Sequence, residues 1–341
     1  MNVENKTIVY TYIPPKQDWI DNISVYSFEL YSMSYSATLI RKNFKVKSLK
    51  LFSTKDICEF FDGKGIFDQV EILEDNDSRI EKQNAGSNHP NMLYKMVTVE
   101  KMFEPFLHVD NDLFLNDPNT FDNVGTDILF AYEEDVVGDE IDMQYYDFYY
   151  RTYLKVVRSL NDQQMVEMGE FNPKSAFNCC IFGGPINIIK SSFARANKFF
   201  RDNYQTLNPI PNMPGFIEQY LQSSFLRERV NFYDISFLEP NLLGPSHVEH
   251  NEYITTLEKI RKNGDRNMYK NIEVSIIKDV IKQFKLHQNF HLSSIRWYPH
   301  VSIAVYNLLN EQNPKLVSDL ESIYGKHSWC FDISNTYEKF I

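Results

Sequence analysis

Two carboxylates one residue apart, Asp110 and Asp112, close a short apolar run, Phe106-Leu107-His108-Val109, and a second apolar run, Leu113-Phe114-Leu115, follows at once. Pro105 precedes the first run, which has the length and composition of a buried strand. In extended chain the side chains at i and i+2 point to one side, so both carboxylates can face one ion. Carboxylates beside an apolar core are costly unless neutralised, and a divalent cation that prefers oxygen ligands neutralises them well. A solvated turn would place Asp and Asn here too, so the motif takes its meaning from the elements around it.

Those elements come from a chain of 341 residues, enough for one large α/β domain or two smaller ones. Hydrophobic residues make up 43%, which supports a full core. The 21 Tyr and 26 Phe exceed what a core alone requires; they suit stacking on bases or sugar rings, and packing accounts for them equally. With only 12 Gly, the chain carries neither G-x-G-x-x-G nor a Walker-type G-K-[ST], so glycine-rich phosphate loops of those kinds are excluded. A formal charge of −11 disfavours nucleic acid as a partner. A small anionic ligand stays open, because it meets the local field of a metal and a few basic groups.

Four Cys at this length do not make a disulfide framework: Cys58 and Cys330 are isolated, and the adjacent Cys179-Cys180 pair is a poor zinc chelate. Both of that pair read as small hydrophobes of a buried strand. No apolar run reaches transmembrane length, and the polar stretch Met1 to Lys6 leads straight into a strand. A cytoplasmic protein is expected, with peripheral membrane contact left open.

Taken in order, the pattern predicts a strand over 7–12 stopped by Pro14-Pro15, a helix over 18–42, a strand over 44–52 and a short helix over 55–61. A Gly63-Lys64-Gly65 turn and a strand over 70–73 follow. The polar stretch 74–90 reads as a loop and candidate lid, and 91–103 as an amphipathic helix with Met92, Met96, Val99 and Phe103 at helical spacing. Beyond the Asp pair come a strand over 127–132 running into Glu133-Glu134-Asp135, a Tyr-rich helix over 143–160, and a strand over 176–182 ending in Gly183-Gly184. Helices over 187–204 and 215–228 flank a Pro-rich connection at 208–214. A strand near 232–235 and helical patterns near 272–284 and 301–309 complete the chain. This alternation predicts an α/β fold, a mostly parallel sheet flanked by helices with a helical C-terminal elaboration. Residues 1–300 are expected as one domain, with 301–341 as a helical extension packed on it. Open sheets of this class bind ligands outside the carboxyl ends of their strands, where Asp110 and Asp112 would lie.

The order of these features is informative: a helix carrying Lys95, a Pro-broken turn, an apolar strand, Asp-Asn-Asp, a second apolar run, and later Phe177-Asn178-Cys179-Cys180-Ile181-Phe182-Gly183-Gly184. It resembles the GT-A glycosyltransferases, Rossmann-like enzymes that transfer a sugar from a nucleotide-diphosphate donor. Among them it looks most like the family-eight type of glycogenin and the bacterial lipopolysaccharide galactosyltransferases. It looks closer still to a bacterial GT-A-like group with a "PFLH-D-D-F" strand. The resemblance covers roughly residues 7–300, through specific motifs of about twenty residues.

It implies that Asp110 and Asp112 hold Mn²⁺ or Mg²⁺ on the donor diphosphate, with Asn111 between them in the donor-binding set. It implies Lys95 near ribose or phosphate, and Asn178 at the transferring sugar or the acceptor. Glu134 and Asp135 would bind donor hydroxyls. Phe216-Ile217-Glu218-Gln219 matches a Glu-Gln pair of the bacterial group, where Glu218 would orient the acceptor or act as base. A family-eight H-x-x-G-x-x-K-P-W motif would supply a third metal ligand. Here His291-Leu292-Ser293-Ser294-Ile295-Arg296-Trp297 is similar, with Ser294 for Gly, Arg296 one place early and no Pro before Trp297. Cys180 also stands where the family's F-N-x-G strand has Gly. These departures bear on the shape of the donor pocket.

The chemistry explains the residue types. Negative charge builds on the departing nucleoside diphosphate, and a divalent cation answers it as a Lewis acid. A neutral His291 among the ligands tips the preference toward Mn²⁺. Arg296 can grip phosphate oxygens with two prongs. Tyr10 and Tyr12 lie where a base could stack on them, although alternation with apolar neighbours explains at least one by packing. His291 has a neighbour, His287, that competes for the ligand role, and an acid at Glu218 also suits a first helical turn.

The expected function is transfer from a UDP-linked sugar to a glycan, lipid-linked or protein acceptor, with retention favoured over inversion and no nucleic-acid partner. The alternative is a GT-A-like sugar-nucleotide-binding or scaffold protein without turnover. A phosphatase of the haloacid-dehalogenase type is set aside: its Asp-x-Asp opens the domain, whereas three strand–helix units come first here.

Overall fold

The computed structural model describes residues 6–14, 23–73, 90–120, 128–130, 133–135, 152–168, 175–210, 213–227, 233–234, 281–282, 284–285, 289–292 and 299–324. Its strands are β1 (Thr7–Tyr12), β2 (Ser48–Ser53), β3 (Gln69–Ile72), β4 (Phe106–Val109), β5 (Leu113–Leu115), β6 (Leu129–Phe130), β7 (Glu133–Asp135), β8 (Ser175–Phe177), β9 (Ile181–Gly184), β10 (Tyr233–Asp234) and β11 (Asn289–His291). Its main helices are α1 (Ile23–Asn43), α2 (Lys55–Phe61), α3 (Pro90–Lys101), α4 (Asp162–Met168), α5 (Ile186–Asp202), α6 (Tyr204–Leu207), α7 (Gln222–Arg227), α8 (Pro299–Gln312) and α9 (Pro314–Tyr324). By internal contacts the chain divides into two units. The first holds Met1–Pro15, Lys45–Asp110 and Phe121–Ser236; the second holds Lys16–Phe44, Asn111–Thr120 and Phe237–Ile341.

The first unit is built on a seven-stranded sheet in the order β10-β6-β9-β4-β1-β2-β3. β1 runs parallel to both β2 and β4, and β2 parallel to β3. β9 runs antiparallel to β4 and to β6, and β10 parallel to β6, so β9 alone is reversed. The expected mostly parallel sheet flanked by helices is what the first unit shows. Its central strands read as unbroken apolar runs because they are buried on both faces. α3 and α5 pack on each other, and their apolar faces (Tyr94, Met96, Val99; Ile189, Phe193, Ala196, Phe199, Phe200) join Phe106 and Phe182 in one core. Each Phe so buried contributes about 1.5–3 kcal/mol relative to exposure. The expected turn at Gly63 and Gly65 is present, with both glycines at positive φ, 70° and 77°.

Several boundaries differ from the sequence pattern. The expected strand over 176–182 is two strands, β8 and β9. Asn178 Oδ1 accepts the Cys180 backbone N–H at 2.9 Å, an Asx turn that redirects the chain between them. Cys179 and Cys180 therefore sit in that turn, buried, rather than in mid-strand. β8 pairs with β7 in a separate small ladder, so the acids after the expected 127–132 strand form their own strand. The expected helix over 215–228 is a π-helix over Phe216–Leu221 that passes into α7. Of the Tyr-rich segment, 152–159 is helical and 143–151 lies outside the described residues, as does 74–89 of the expected lid.

In the second unit α1 packs on β5 and on α8, and α8 on α9. Tyr31 meets Tyr306 edge-on at 5.5 Å, and Tyr35 meets Phe114 at 4.9 Å. β5 pairs antiparallel with β11, joining Leu113 to His291 and Leu115 to Asn289. The other side of β5 is held by polar groups of α1. Ser32 Oγ donates to the Asn111 carbonyl at 2.8 Å, Ser36 Oγ to the Leu113 carbonyl, and Asn43 Nδ2 to the Leu115 carbonyl at 3.0 Å. Positions 32, 36 and 43 recur at helical spacing, so one face of α1 supplies all three.

One close approach in the first unit is testable. Gly183 faces Leu107 across the β4–β9 ladder, and a Cβ there would lie 2.2 Å from the Phe106 carbonyl oxygen and 3.0 Å from Leu107 Cα. Backbone cannot yield as a side chain does. Gly183→Ala is expected to destabilise the fold by at least about 1–3 kcal/mol, read as a lower urea midpoint; an unchanged midpoint would refute the close approach.

Candidate active site

Chain order within the first sheet sets the place of interest. From β1 the chain steps outward through β2 to β3, then returns to β4 on the other flank of β1. Strand order therefore reverses between β1 and β4, and in open α/β sheets the crevice at the carboxyl ends beside such a reversal is where ligands bind. β4 ends there in Asp110, whose N–H donates to the Cys180 carbonyl at 2.7 Å and so extends the β4–β9 pairing by one residue. Tyr10 and Tyr12, on β1, are fully buried, and Tyr10 packs edge-on against Phe67 at 5.7 Å.

Asp110 shares its place with two further charges. Lys95, on α3, puts Nζ 2.6 Å from Asp110 Oδ1 and 2.6 Å from Glu218 Oε1. Glu218 projects from the π-helix and is 1% exposed. Burial alone would lower the Lys95 pKa; Asp110 and then Glu218 overcome it and hold the ammonium protonated, above its ordinary value. Gln219, half-buried, is the next residue of the π-helix. A π-turn presents successive residues at angles an α-helix does not, and such turns occur often at functional positions. Cys179 lies against this segment, its thiol at 3.6 Å from the Glu218 carbonyl, and burial pushes it well above the ordinary thiol range.

His108 lies two residues before Asp110 on the same side of β4 and was not among the expected site residues. Its ring stacks on Phe182 at 4.8 Å, and Nε2 is 3.0 Å from Thr11 Oγ1. Thr11 donates its hydroxyl to Thr98 at 2.9 Å, so the network assigns the proton to Nε2 and leaves the Nδ1 lone pair 3.8 Å from Asp110 Oδ1. Burial first, then Lys95, holds the His108 pKa well below the ordinary value, so the ring is neutral. The available signal was the i, i+2 relation to Asp110; its partner Thr11, 97 residues away in the chain, is supplied by the fold alone.

The second unit brings Asp112 and His291 together. The β5–β11 pairing aligns them, and the Leu292 N–H donates to the Asp112 carbonyl at 3.0 Å. His291 Nε2 is 3.5 Å from Asp112 Oδ1, with both side chains buried. Two ligands about 2.1 Å from one ion and about 90–110° apart stand about 3.0–3.4 Å from each other. An imidazole nitrogen and a carboxylate oxygen at this spacing therefore suit a divalent cation between them. Asn111 contributes its carbonyl to Ser32, which steadies the backbone just before Asp112.

Other expected residues fall as follows. Asn178, buried, uses its Oδ1 in the Asx turn. Glu134 and Asp135 lie on β7, opposite Ala176 and Ser175 of β8. Arg296 and the rest of its motif after Leu292 lie outside the described residues. Among the described residues no helix is long and apolar enough to cross a membrane.

The model of DUF6734, described as a family of unknown function, matches residues 22–285. No curated protein matches the chain. Among solved structures the chain is similar to the galactosyltransferase LgtC in complex with donor and acceptor sugar analogues, at 8% identity over 60% of this chain and 68% of that one, with a TM-score of 0.35. An active-site mutant of LgtC gives 8% identity, 59% and 65% coverage and a TM-score of 0.34. The apo form of mouse xyloside xylosyltransferase 1 gives 12% identity, 67% and 84% coverage and a TM-score of 0.38.

The buried neutral His108 makes stability depend on pH. Its folded pKa lies below that of the unfolded chain, so its contribution is complete above about pH 6.5 and is lost as pH falls and the unfolded imidazole takes up a proton. The stability of the parent is expected to fall between pH 7 and 5 more steeply than that of His108→Gln, by up to about 1.4 kcal/mol per pH unit. Urea unfolding across that range measures both slopes, and parallel slopes would overturn the assignment.

Proposed function

We propose that this protein, which belongs to the DUF6734 family, is a metal-dependent glycosyltransferase that moves a sugar from a nucleotide-diphosphate donor, UDP-linked by preference, to a glycan, lipid-linked or protein acceptor. One observation carries the reading: a carboxylate, Asp110, ends the strand beside the reversal of sheet order, and two residues on a buried carboxylate, Asp112, faces an imidazole at a metal-ligand spacing. Asp110, Asp112 and His291 would hold the cation, with a nitrogen ligand favouring Mn²⁺ over Mg²⁺. When bound, it would supply a Lewis acid for the charge that builds on the departing diphosphate.

The chain's own groups fill the remaining roles. β11 and the serines of α1 fix the backbone around Asp112, so its carboxylate is pre-set rather than recruited. Asn111, Lys95 and Arg296 serve the donor's ribose and phosphates, and Glu134 and Asp135 its sugar hydroxyls; Tyr10 and Tyr12, fully buried, serve the site by packing within β1. Asn178, Glu218 and Gln219 face the transferring sugar and the acceptor. Glu218 is already engaged by Lys95, which favours a retaining transfer, since that course needs no general base at the attacking hydroxyl.

Calorimetric titration with UDP, GDP and CDP, each with Mn²⁺ and with a chelator, tests the proposal. One nucleotide is expected to bind tightly with Mn²⁺ and to lose that binding on chelation. Asp112→Ala is expected to weaken Mn²⁺-dependent binding at least about 100-fold while the circular dichroism spectrum is kept. Equal affinity in variant and parent would remove Asp112 from the metal site. Nucleotide binding without turnover of any donor would favour a sugar-nucleotide-binding protein.

A further inference from the structure

Lys95 stands in the position where an incoming cation would meet Asp110. Its ammonium is 2.6 Å from Asp110 Oδ1, at contact distance for a charge-assisted hydrogen bond, and its side chain is 8% exposed. Two like charges cannot share one carboxylate at that range without strong repulsion: at about 4 Å two unit charges interact by about 4 kcal/mol at the effective dielectric of such sites, and a divalent ion doubles the effect. The ammonium cannot simply leave for water, because α3 is packed against the core on this side. It has another acceptor within reach: Glu218 Oε1 is also 2.6 Å away, held by the π-helix. Its protonation is secure, since both carboxylates favour the charged form.

We propose that Lys95 and Glu218 form a charge-exchange pair: the Lys95 ammonium neutralises Asp110 in the cation-free protein and passes wholly to Glu218 when a divalent cation takes Asp110. Lys95 is thus an internal competitor that sets cation affinity, and Glu218 is the positioning residue that draws the competitor aside. The inference rests on the metal reading given above. It deepens that reading by assigning Lys95 and Glu218 a function in cation exchange, before any donor arrives. No bond is made or broken; only the partners of one ammonium change.

The pair predicts opposite effects for its two members, which a merely structural role would not produce. Lys95→Met removes the competitor and is expected to tighten Mn²⁺ binding about tenfold or more. Glu218→Gln leaves Asp110 as the stronger holder of the ammonium and is expected to weaken Mn²⁺ binding by a similar factor. The double variant Lys95→Met with Glu218→Gln removes both charges of the pair together, so it guards against misfolding of the single Lys95 variant. It is expected to bind Mn²⁺ more tightly than Glu218→Gln alone. Titration calorimetry with Mn²⁺ alone, on the full chain without nucleotide, reads all four proteins, with circular dichroism as the check on folding. Binding by the parent with equal or uniformly weakened affinity in the folded variants would overturn the charge exchange and leave the metal site intact. Absence of Mn²⁺ binding by the parent and by the folded double variant would overturn the metal reading, and the exchange with it.

Discussion

A charge persists inside a protein only where counter-charges are brought to it, and Lys95 makes that demand on three elements at once. α3 supplies the ammonium, β4 ends in Asp110, and the π-helix carries Glu218. Removing one partner from such an arrangement leaves an uncompensated buried charge, typically a loss of about 3–5 kcal/mol, whereas the intact arrangement adds little to stability over an apolar core. The cluster therefore specifies geometry more than it strengthens the fold. It ties the helix before β4 and the π-helix over Phe216–Leu221 to the end of the central strand, at the reversal of sheet order.

The neighbours of Asp110 extend the same constraint. Asp110 is aligned through its backbone by Cys180 and approached on its side chain by Lys95 and His108. The turn that delivers Cys180 depends on Asn178, and the close β4–β9 contact depends on the missing side chain at Gly183. Sheet pairing, turn chemistry and buried charge thus converge on one residue, and that agreement across levels is what specifies a site.

Much of this was legible in the sequence where the signal was local. The apolar runs at β1 and β4, the Gly63–Gly65 turn and the Asp pair at the end of a strand follow from pattern and punctuation alone, and so does the mostly parallel sheet. The missed features have distant causes. The split between β8 and β9 comes from a side-chain hydrogen bond that Asn178 can make anywhere, so apolar continuity from Ala176 to Phe182 hid it. β11 is a three-residue strand whose partner β5 lies some 175 positions earlier, beyond any local period. The π-helix over Phe216–Leu221 leaves a helical pattern nearly intact, so periodicity alone reads it as an ordinary helix. Glu218 was found by likeness and Lys95 likewise, but their mutual contact spans 123 positions and is a product of the fold. His108 read as one more member of an apolar run.

The grip of α1 on β5 has a consequence for how this region can change over time. Ser32, Ser36 and Asn43 hold carbonyl oxygens, which every residue type provides. These bonds hold whatever side chains the strand bears, whereas the Tyr35–Phe114 contact depends on its partner. At Asn111 Ser32 holds the carbonyl and not the side chain, so a substitution there leaves that bond in place and the residue between the two acids can change in chemistry while its path stays constant. A segment held by its main chain keeps its course while the side chain at such a position is exchanged.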